Sequence, residues 1–372
     1  MRFIVNSINL LKSVQALGGV LNAKNTLPIL DNFLFELKDQ TLSITASDLE
    51  TIMTVKLDLE MAEDDGNVAV PARLLLDVLR AFSNVPIAFT VDMEYKIELA
   101  AGEGKYNLSG YNPDEFPKYP DLQETNTVAM ESAVMVNAIN KTLFATGNDE
   151  LRPVMAGVYC DLHEDDVTFV STDAHKLVRY TKPDLSPGVN GSFILPKKPL
   201  NLLKNTLPND ETPLKIEFSD KNSIFSFDNY KLICKLVDGR YPNYEKVIPQ
   251  ETPNTLTVDR QNMLNVLRRV SIFANKSTHQ IRLKLSGQEM ILSAEDLDYS
   301  NAAQERLNCN YSGEDMDIGF NAKFLLEMLV NLDSEEITML MSQPNRAALI
   351  VPDTNNAQED ILMLIMPVVL NN

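Results

Sequence analysis

Three stretches, LSITASDLE (42–50), VTFVSTDAH (167–175) and MILSAEDLD (290–298), share one pattern, a β-rich run that closes on an acidic turn. Their aspartates, Asp48, Asp173 and Asp296, lie 125 and 123 residues apart. About two dozen residues after each comes a second recurring block: VPARLLLDVLRAF (70–82), LPKKPLNLLKNTL (195–207) and FNAKFLLEMLVNL (320–332). There Arg73, Lys198 and Lys323 recur at an interval of 125. Two unlike signals with one period indicate three repeats of one fold rather than chance similarity. The segments LQETNTVAM (122–130) and PQETPNTLT (249–257) read as connectors, which divides the chain into domains 1–124, 125–252 and 253–372.

Each repeat has the same grammar: a strand, a helix (8–21, 132–146, 260–275), alternating strands, the second helix, and more strands. Leu10, Leu11, Val14 and Leu17 give the first helix an apolar face that must pack on a sheet. The runs KLSGQEMILSA (284–294) and LKIEFSDKNSIFSFDNYKLICKLV (214–237) alternate around turn residues, as antiparallel hairpins do. The expected class is α+β, with three repeated domains of antiparallel sheets carrying two helices each.

Composition narrows the function. No apolar run reaches the roughly 18 residues of a membrane span, and MRFIVNSINLLKSVQ (1–15) becomes polar too early for a secretory signal. The expected location is cytoplasmic. Cys160, Cys234 and Cys309 are far apart without CxxC spacing, so no disulfide framework, metal site or cofactor is expected, and each reads as a small buried hydrophobe. The Asp173 and His175 pair, taken as sharing a strand face, lacks a serine or cysteine nucleophile to serve, which argues against a hydrolase.

A net charge of -19 argues against nucleic acid until the charges are placed. The six helical windows hold eleven basic residues against two acidic, Asp77 and Glu327, leaving 22 basic and 50 acidic for sheets and loops. Glutamate is as good a helix former as lysine, so helix propensity alone does not explain the bias. Helices about 10 Å wide set side by side enclose an opening near 9 Å with six members but about 28 Å with twelve, which admits a duplex about 20 Å across. Two chains would thus form a positively lined ring that slides without reading bases. A non-DNA scaffold or a carbohydrate-binding sheet protein would account for the hairpins but not for the charge segregation.

KNTLPILDNFLFEL (24–37), VPARLLLDVLR (70–80), YNPDEFPKYP (111–120), VSTDAHKLVRY (170–180), ILPKKPLNLL (194–203), KLVDGRYPNYEKVIP (235–249), MDIGFNAKFLLEML (316–329) and IMPVVL (365–370) together resemble the bacterial sliding clamp family, the beta subunits of DNA polymerase III. The resemblance covers the whole chain. It implies a non-catalytic, head-to-tail homodimeric ring of six domains on duplex DNA, loaded by an ATP-driven clamp loader. It also implies that the ring gives processivity to the DNA polymerase III catalytic subunit, within a holoenzyme that carries a 3'-5' exonuclease, and to other polymerases and repair proteins.

The DNA contacts it implies are Lys24, Arg73, Arg152, Lys197 and Lys198, with lysine at 24 and 197 where the family often has arginine. The loop GNDELRP (147–153) is more acidic than the family pattern. A pocket for a partner's linear motif is implied at Val154, Met155, Thr172, Ala174, His175, Lys176, Leu177, Pro242, Lys246, Val247, Asn321, Phe324, Ala347, Leu364, Ile365, Met366, Pro367, Val368 and Leu370. Ala174 stands where glycine is usual, Lys176 where arginine is usual, and Asn371 and Asn372 follow the customary last leucine. The implied dimer contact joins Tyr106 and Leu108 of one chain to Ile272 and Phe273 of the other.

Overall fold

The computed structural model describes residues 1–25, 27–118, 125–353 and 358–370. The first repeat runs β1 (Arg2–Asn6), α1 (Ser7–Gly18), β2 (Asn32–Lys38), β3 (Thr41–Ser47), β4 (Thr51–Asp58), β5 (Met61–Asp64), β6 (Gly66–Pro71), α2 (Ala72–Ala81), β7 (Pro86–Val91), β8 (Lys96–Ala101) and β9 (Gly104–Ser109). The second comprises β10 (Asn126–Glu131), α3 (Ser132–Thr142), β11 (Gly157–Leu162), β12 (Val167–Thr172), β13 (Lys176–Lys182), β14 (Gly191–Pro196), α4 (Lys197–Thr206), β15 (Pro213–Phe218), β16 (Asn222–Phe227) and β17 (Tyr230–Lys235). The third comprises β18 (Asn254–Asp259), α5 (Arg260–Val270), β19 (Gln280–Ser286), β20 (Glu289–Asp296), β21 (Asn301–Asn308), β22 (Asn310–Ser312), β23 (Met316–Asn321), α6 (Ala322–Val330), β24 (Glu336–Met341), β25 (Ala348–Pro352) and β26 (Asp360–Ile365). Among the described residues, no helix is long and apolar enough to cross a membrane.

Local chemistry explains the helix starts. The Asn6 side chain accepts from the N–H groups of Ile8 and Asn9 at 2.9 and 3.3 Å, and Asp259 and Asn321 cap α5 and α6 in the same way. Leu10, Val14 and Leu17 are buried on one face of α1, while Leu11 is half-buried. The second helices start later than their sequence windows. Val70, Leu195 and Phe320 still belong to strands because they continue ladders opposite Phe33, Val158 and Ile281.

The repeated aspartates have a common job. Asp48 Oδ1 accepts from the N–H groups of Glu50 and Thr51 at 3.0 and 2.6 Å. Asp173 Oδ1 accepts from those of His175 and Lys176 at 2.9 Å each, and Asp296 Oδ1 from that of Asp298 at 3.1 Å. Each carboxylate closes its own hairpin turn, which only a short acceptor side chain can do. Asp173 and His175 therefore sit in a turn rather than on a strand, a correction to the sequence reading.

Residues 1–136 with 198–236 form one compact unit, and 137–197 with 237–372 form another. The first holds a five-stranded sheet, β5-β1-β7-β8-β9, and an eight-stranded sheet, β10-β15-β16-β17-β4-β3-β2-β6. Phe89 stacks on Phe3 and Phe35 at 4.8 and 5.4 Å between centroids, joining these sheets in one core. Truncating so buried a ring costs about 3–5 kcal/mol. The second unit holds a nine-stranded sheet, β14-β11-β12-β13-β26-β25-β24-β18-β22, and a four-stranded sheet, β21-β20-β19-β23. Among the described residues every ladder is antiparallel.

The units cut through the middle repeat because its β17 pairs with β4 of the first repeat, while its β13 pairs with β26 of the third. The connector expected at 124 falls outside the described residues. Cys160 and Cys234 are buried as expected, but Cys309 is only half-buried, next to the edge strand β22.

Candidate functional site

One face of the nine-stranded sheet carries a run of apolar side chains. Cross-strand pairing sets Ile194, Tyr159, Val170, Arg179 and Leu362 in one row, and Thr172, Leu177, Leu364, Leu349 and Leu340 in the next. The buried members pack with Tyr241 and Ala347, and Val154, Val237, Tyr244 and Ile248 close over them. Tyr241 stacks on Tyr159 at 4.8 Å and 7°. Burial pushes the Tyr241 phenol well above its usual pKa and the Tyr244 phenol up to about 12, so both stay neutral hydrogen-bonding groups.

Several of the expected pocket residues have their polar groups taken up within the fold. Thr172 is buried, its hydroxyl donating to the Lys176 carbonyl at 2.7 Å and accepting from the Ala174 N–H at 3.1 Å. The Lys176 ammonium is buried between Asp173 at 2.8 Å and Glu327 at 3.1 Å, 4.3 Å over the Phe324 ring. The His175 ring also stacks on Phe324, with 6.0 Å between centroids. Burial alone would raise the Asp173 pKa, but Lys176 and the turn N–H groups outweigh it and hold the carboxyl below the usual range. Ile365 is fully buried, and Asn321 is committed to capping α6 and to the Thr278 carbonyl.

Beyond β26 the chain runs past the His175 turn to Gly319 on β23. The Met366 N–H donates to the His175 carbonyl and the Val368 N–H to the Gly319 carbonyl, both at 2.9 Å. A Cβ at Gly319 would lie 2.8 Å from the Val368 carbonyl oxygen, a backbone atom held by the same bridge, so a larger residue would disturb this pairing. Met366 is exposed, Pro367, Val368 and Leu370 are half-buried, and Asn371 and Asn372 lie outside the described residues. Val154, Leu177, Ala347 and Leu364 are brought together in the apolar cluster. Met155 accepts the Gly147 N–H at 2.7 Å close by Asp173. Pro242 is half-buried, and Lys246 and Val247 are exposed on the 3-10 turn Glu245–Val247. The same face also holds Tyr159, Val170, Arg179, Tyr241 and Tyr244, which were not among the expected pocket residues. The alternation of β13 held the signal for Arg179, which two residues from Leu177 must share its face.

The candidate DNA contacts divide by what already holds them. Lys24 and Arg73 are exposed, with Arg73 donating to the Ala23 carbonyl at 3.4 Å. Arg152 pairs with Asp149 at 2.8 Å, a hydrogen bond that lowers the carboxyl pKa. Lys197 is half-buried and donates to the Thr146 carbonyl and to Asn148; burial depresses its pKa, as does repulsion from Lys176. The Lys198 ammonium reaches Asp48 at 2.5 Å and Asn22 at 2.7 Å.

All eleven helical cations stay within the observed helices, but some are neutralised or used structurally. Arg269 pairs with Glu305 at 2.6 Å, Lys141 with Asp333, and Arg260 donates to the carbonyls of Ser334 and Leu329 at 2.7 and 3.0 Å. Of the candidate dimer residues, Tyr106 on β9 is 40% exposed and meets Phe82 edge-on at 5.1 Å, while Leu108 is buried. Ile272 and Phe273, 75% and 41% exposed, occupy the 3-10 turn after α5, packed against β20 and β21.

Comparison with known proteins gives one answer along the chain. Profiles of the DNA polymerase III beta subunit match its N-terminal domain at residues 1–120, its central domain at 129–243 and its C-terminal domain at 245–368. The Vibrio cholerae beta sliding clamp is 28% identical over 99% of this chain and 100% of that protein. The Escherichia coli K12 beta sliding clamp is 29% identical over 92% and 93%. The crystal structure of a Pseudomonas aeruginosa sliding clamp bound to griselimycin superposes over 100% of both chains with a TM-score of 0.95 at 27% identity. A Bartonella birtlesii clamp bound to griselimycin gives 0.93 at 29% identity, again over 100% of both chains.

Proposed function

The chain belongs to the DNA polymerase III beta subunit family, the beta sliding clamps, and from that premise we infer that two copies close head to tail around duplex DNA as a non-catalytic processivity factor. A pair of open sheet edges carries this reading. Following the ladders through each repeat makes Lys105, Lys231 and Leu362 equivalent, and likewise Thr54, Arg179 and Gln304. Lys231 already pairs with Thr54, and Leu362 with Arg179. Their third counterparts, Lys105 on β9 and Gln304 on β21, lie on edges of the five- and four-stranded sheets that pair with no strand among the described residues. Pairing them between copies makes a nine-stranded sheet like the one within the chain and removes two edges that would otherwise template aggregation.

That register sets Tyr106 opposite Ala303 and Leu108 opposite Asn301, on the face that carries Ile272 and Phe273. Six repeats and twelve helices then enclose the duplex, with boundaries near residues 124 and 252. Lys24, Arg73, Arg152, Lys197 and Lys198 supply the lining, with Lys24 and Arg73 the most available. The apolar face of the nine-stranded sheet, walled by residues 366–370, receives a linear motif from the DNA polymerase III catalytic subunit, the clamp loader, and other polymerases and repair proteins. The setting is the cytoplasm. A scaffold without DNA is less well supported, since it gives no reason for eleven basic and two acidic residues in the helices.

Topology is the test. Chain loaded on nicked circular DNA should be retained at low salt and released when the circle is linearised, because only a ring responds to free ends. Equal retention on both forms would overturn the reading.

A further inference from the structure

We propose that Arg179, outside the residue set assigned to the groove, selects partner peptides that carry a carboxylate beside their apolar anchors. This deepens the docking reading above and rests on it. Arg179 stands on the groove face between Val170 and Leu362, two residues along β13 from Leu177. Its side chain is 29% exposed. One terminal nitrogen donates to Asp360 Oδ2 at 2.7 Å, while Nε is buried and has no acceptor among the described residues. A guanidinium presents five N–H donors in a planar fork. Arg179 stands where the apolar rows meet the next row of the same face, Asp161, Thr168, Thr181 and Asp360, and with Nε unbonded and one terminal nitrogen on Asp360 it keeps donors for a further carboxylate.

The fold does not require a cation here. The equivalent positions in the other repeats are Thr54 and Gln304, both uncharged, so the charge belongs to the one repeat whose sheet face forms the groove. Asp360, 57% exposed, stands two residues from Leu362 on the same strand face, opposite Thr181, so it holds Arg179 from the end of the groove away from Leu364 and competes with an incoming carboxylate. Carboxylate rather than phosphate fits, because the anion must arrive on an extended peptide seated by apolar anchors, and a carboxylate matches the fork without the hydration of a dianion.

The test uses the intact dimer and fluorescein-labelled ten-residue peptides with fixed leucine and phenylalanine anchors, in which each flanking position is either Glu or Gln. Anisotropy should show Glu binding about tenfold tighter than Gln at one position. Arg179→Leu should bring that ratio to about one while Gln-peptide affinity stays within about twofold, Arg179→Lys should retain part of it, and Asp360→Asn should widen it by removing the competing acid. The Asp360→Asn arm stands even if Arg179→Leu fails to fold. A ratio near one at every position in the wild type, or a ratio that survives Arg179→Leu, overturns the proposal. If no peptide of either kind binds the folded wild-type dimer, the docking reading falls and this proposal with it.

Discussion

Ala174 occupies a left-handed conformation, φ +75°, that a Cβ disfavours, and its counterpart Leu49 does so at φ +77°. The turn chemistry forces both: Asp173 and Asp48 tie the N–H groups that follow, and Thr172 and Ser47 tie those of Ala174 and Leu49. Ala174→Gly should therefore stabilise the chain by about 1 kcal/mol, read as a higher denaturant midpoint with unchanged slope. No change would mean that the turn relaxes without strain. Asp173 has a folded pKa below its unfolded value of about 3.9, so its contribution is fully present above that pH and is lost as pH falls through the lower folded value. Asp173→Asn should then cost roughly 1–2 kcal/mol at pH 7, and the difference from wild type should shrink below about pH 4. A pH-independent difference would show that the carboxylate is not the cause. Sequence revealed the oddity of Ala174 and Lys176, but not that Lys176 is buried between Asp173 and Glu327, because the latter contact spans 151 positions and no local pattern encodes it.

At the scale of elements, the second-helix cations look alike in sequence and differ in use. Lys198 closes on a buried Asp48 carboxylate from another repeat, whereas Arg73 stays exposed. Lys198→Glu would set two carboxylates against each other and should cost on the order of 1–2 kcal/mol of stability. Arg73→Glu should leave stability within about 0.5 kcal/mol and weaken salt-sensitive retention on circular DNA. Equal melting curves for the two variants would refute the division. The terminal strand gives a second contrast. β26 ends at Ile365, so deleting the chain from Met366 onward spares its ladders with β13 and β25 but removes the backbone bonds to His175 and Gly319. The truncated dimer should stay folded and lose peptide capture; full affinity would show that this segment is not part of the groove. Periodicity made the helices legible. It could not say that Val70, Leu195 and Phe320 remain in strands, since that depends on ladder partners elsewhere in the chain.

For the whole molecule, the three repeats could be read from a shared interval, but the sheets that join them could not. An interval says which segments are alike, and strand pairing between repeats depends on edges brought together by folding. Once the β17–β4 and β13–β26 registers are known, repetition predicts the third, between β9 of one copy and β21 of the other. Asn107 then faces Ala302 on the exposed side, away from Tyr106 and Leu108. Directly opposed residues of an antiparallel pair have Cα atoms about 4.5–5.5 Å apart, within the range a disulfide spans. Asn107→Cys combined with Ala302→Cys should oxidise to a covalent dimer closed at both joints, with neither single variant crosslinking. Among the native cysteines Cys160 and Cys234 are buried, and burial raises the pKa of the half-buried Cys309, so all three should compete poorly. Applied after loading on nicked circular DNA, the bridge should leave protein on the circle through denaturant that strips the unbridged dimer. Preferential bridging of Asn107→Cys to Gln304→Cys instead would place the register two residues away and break the equivalence among the repeats.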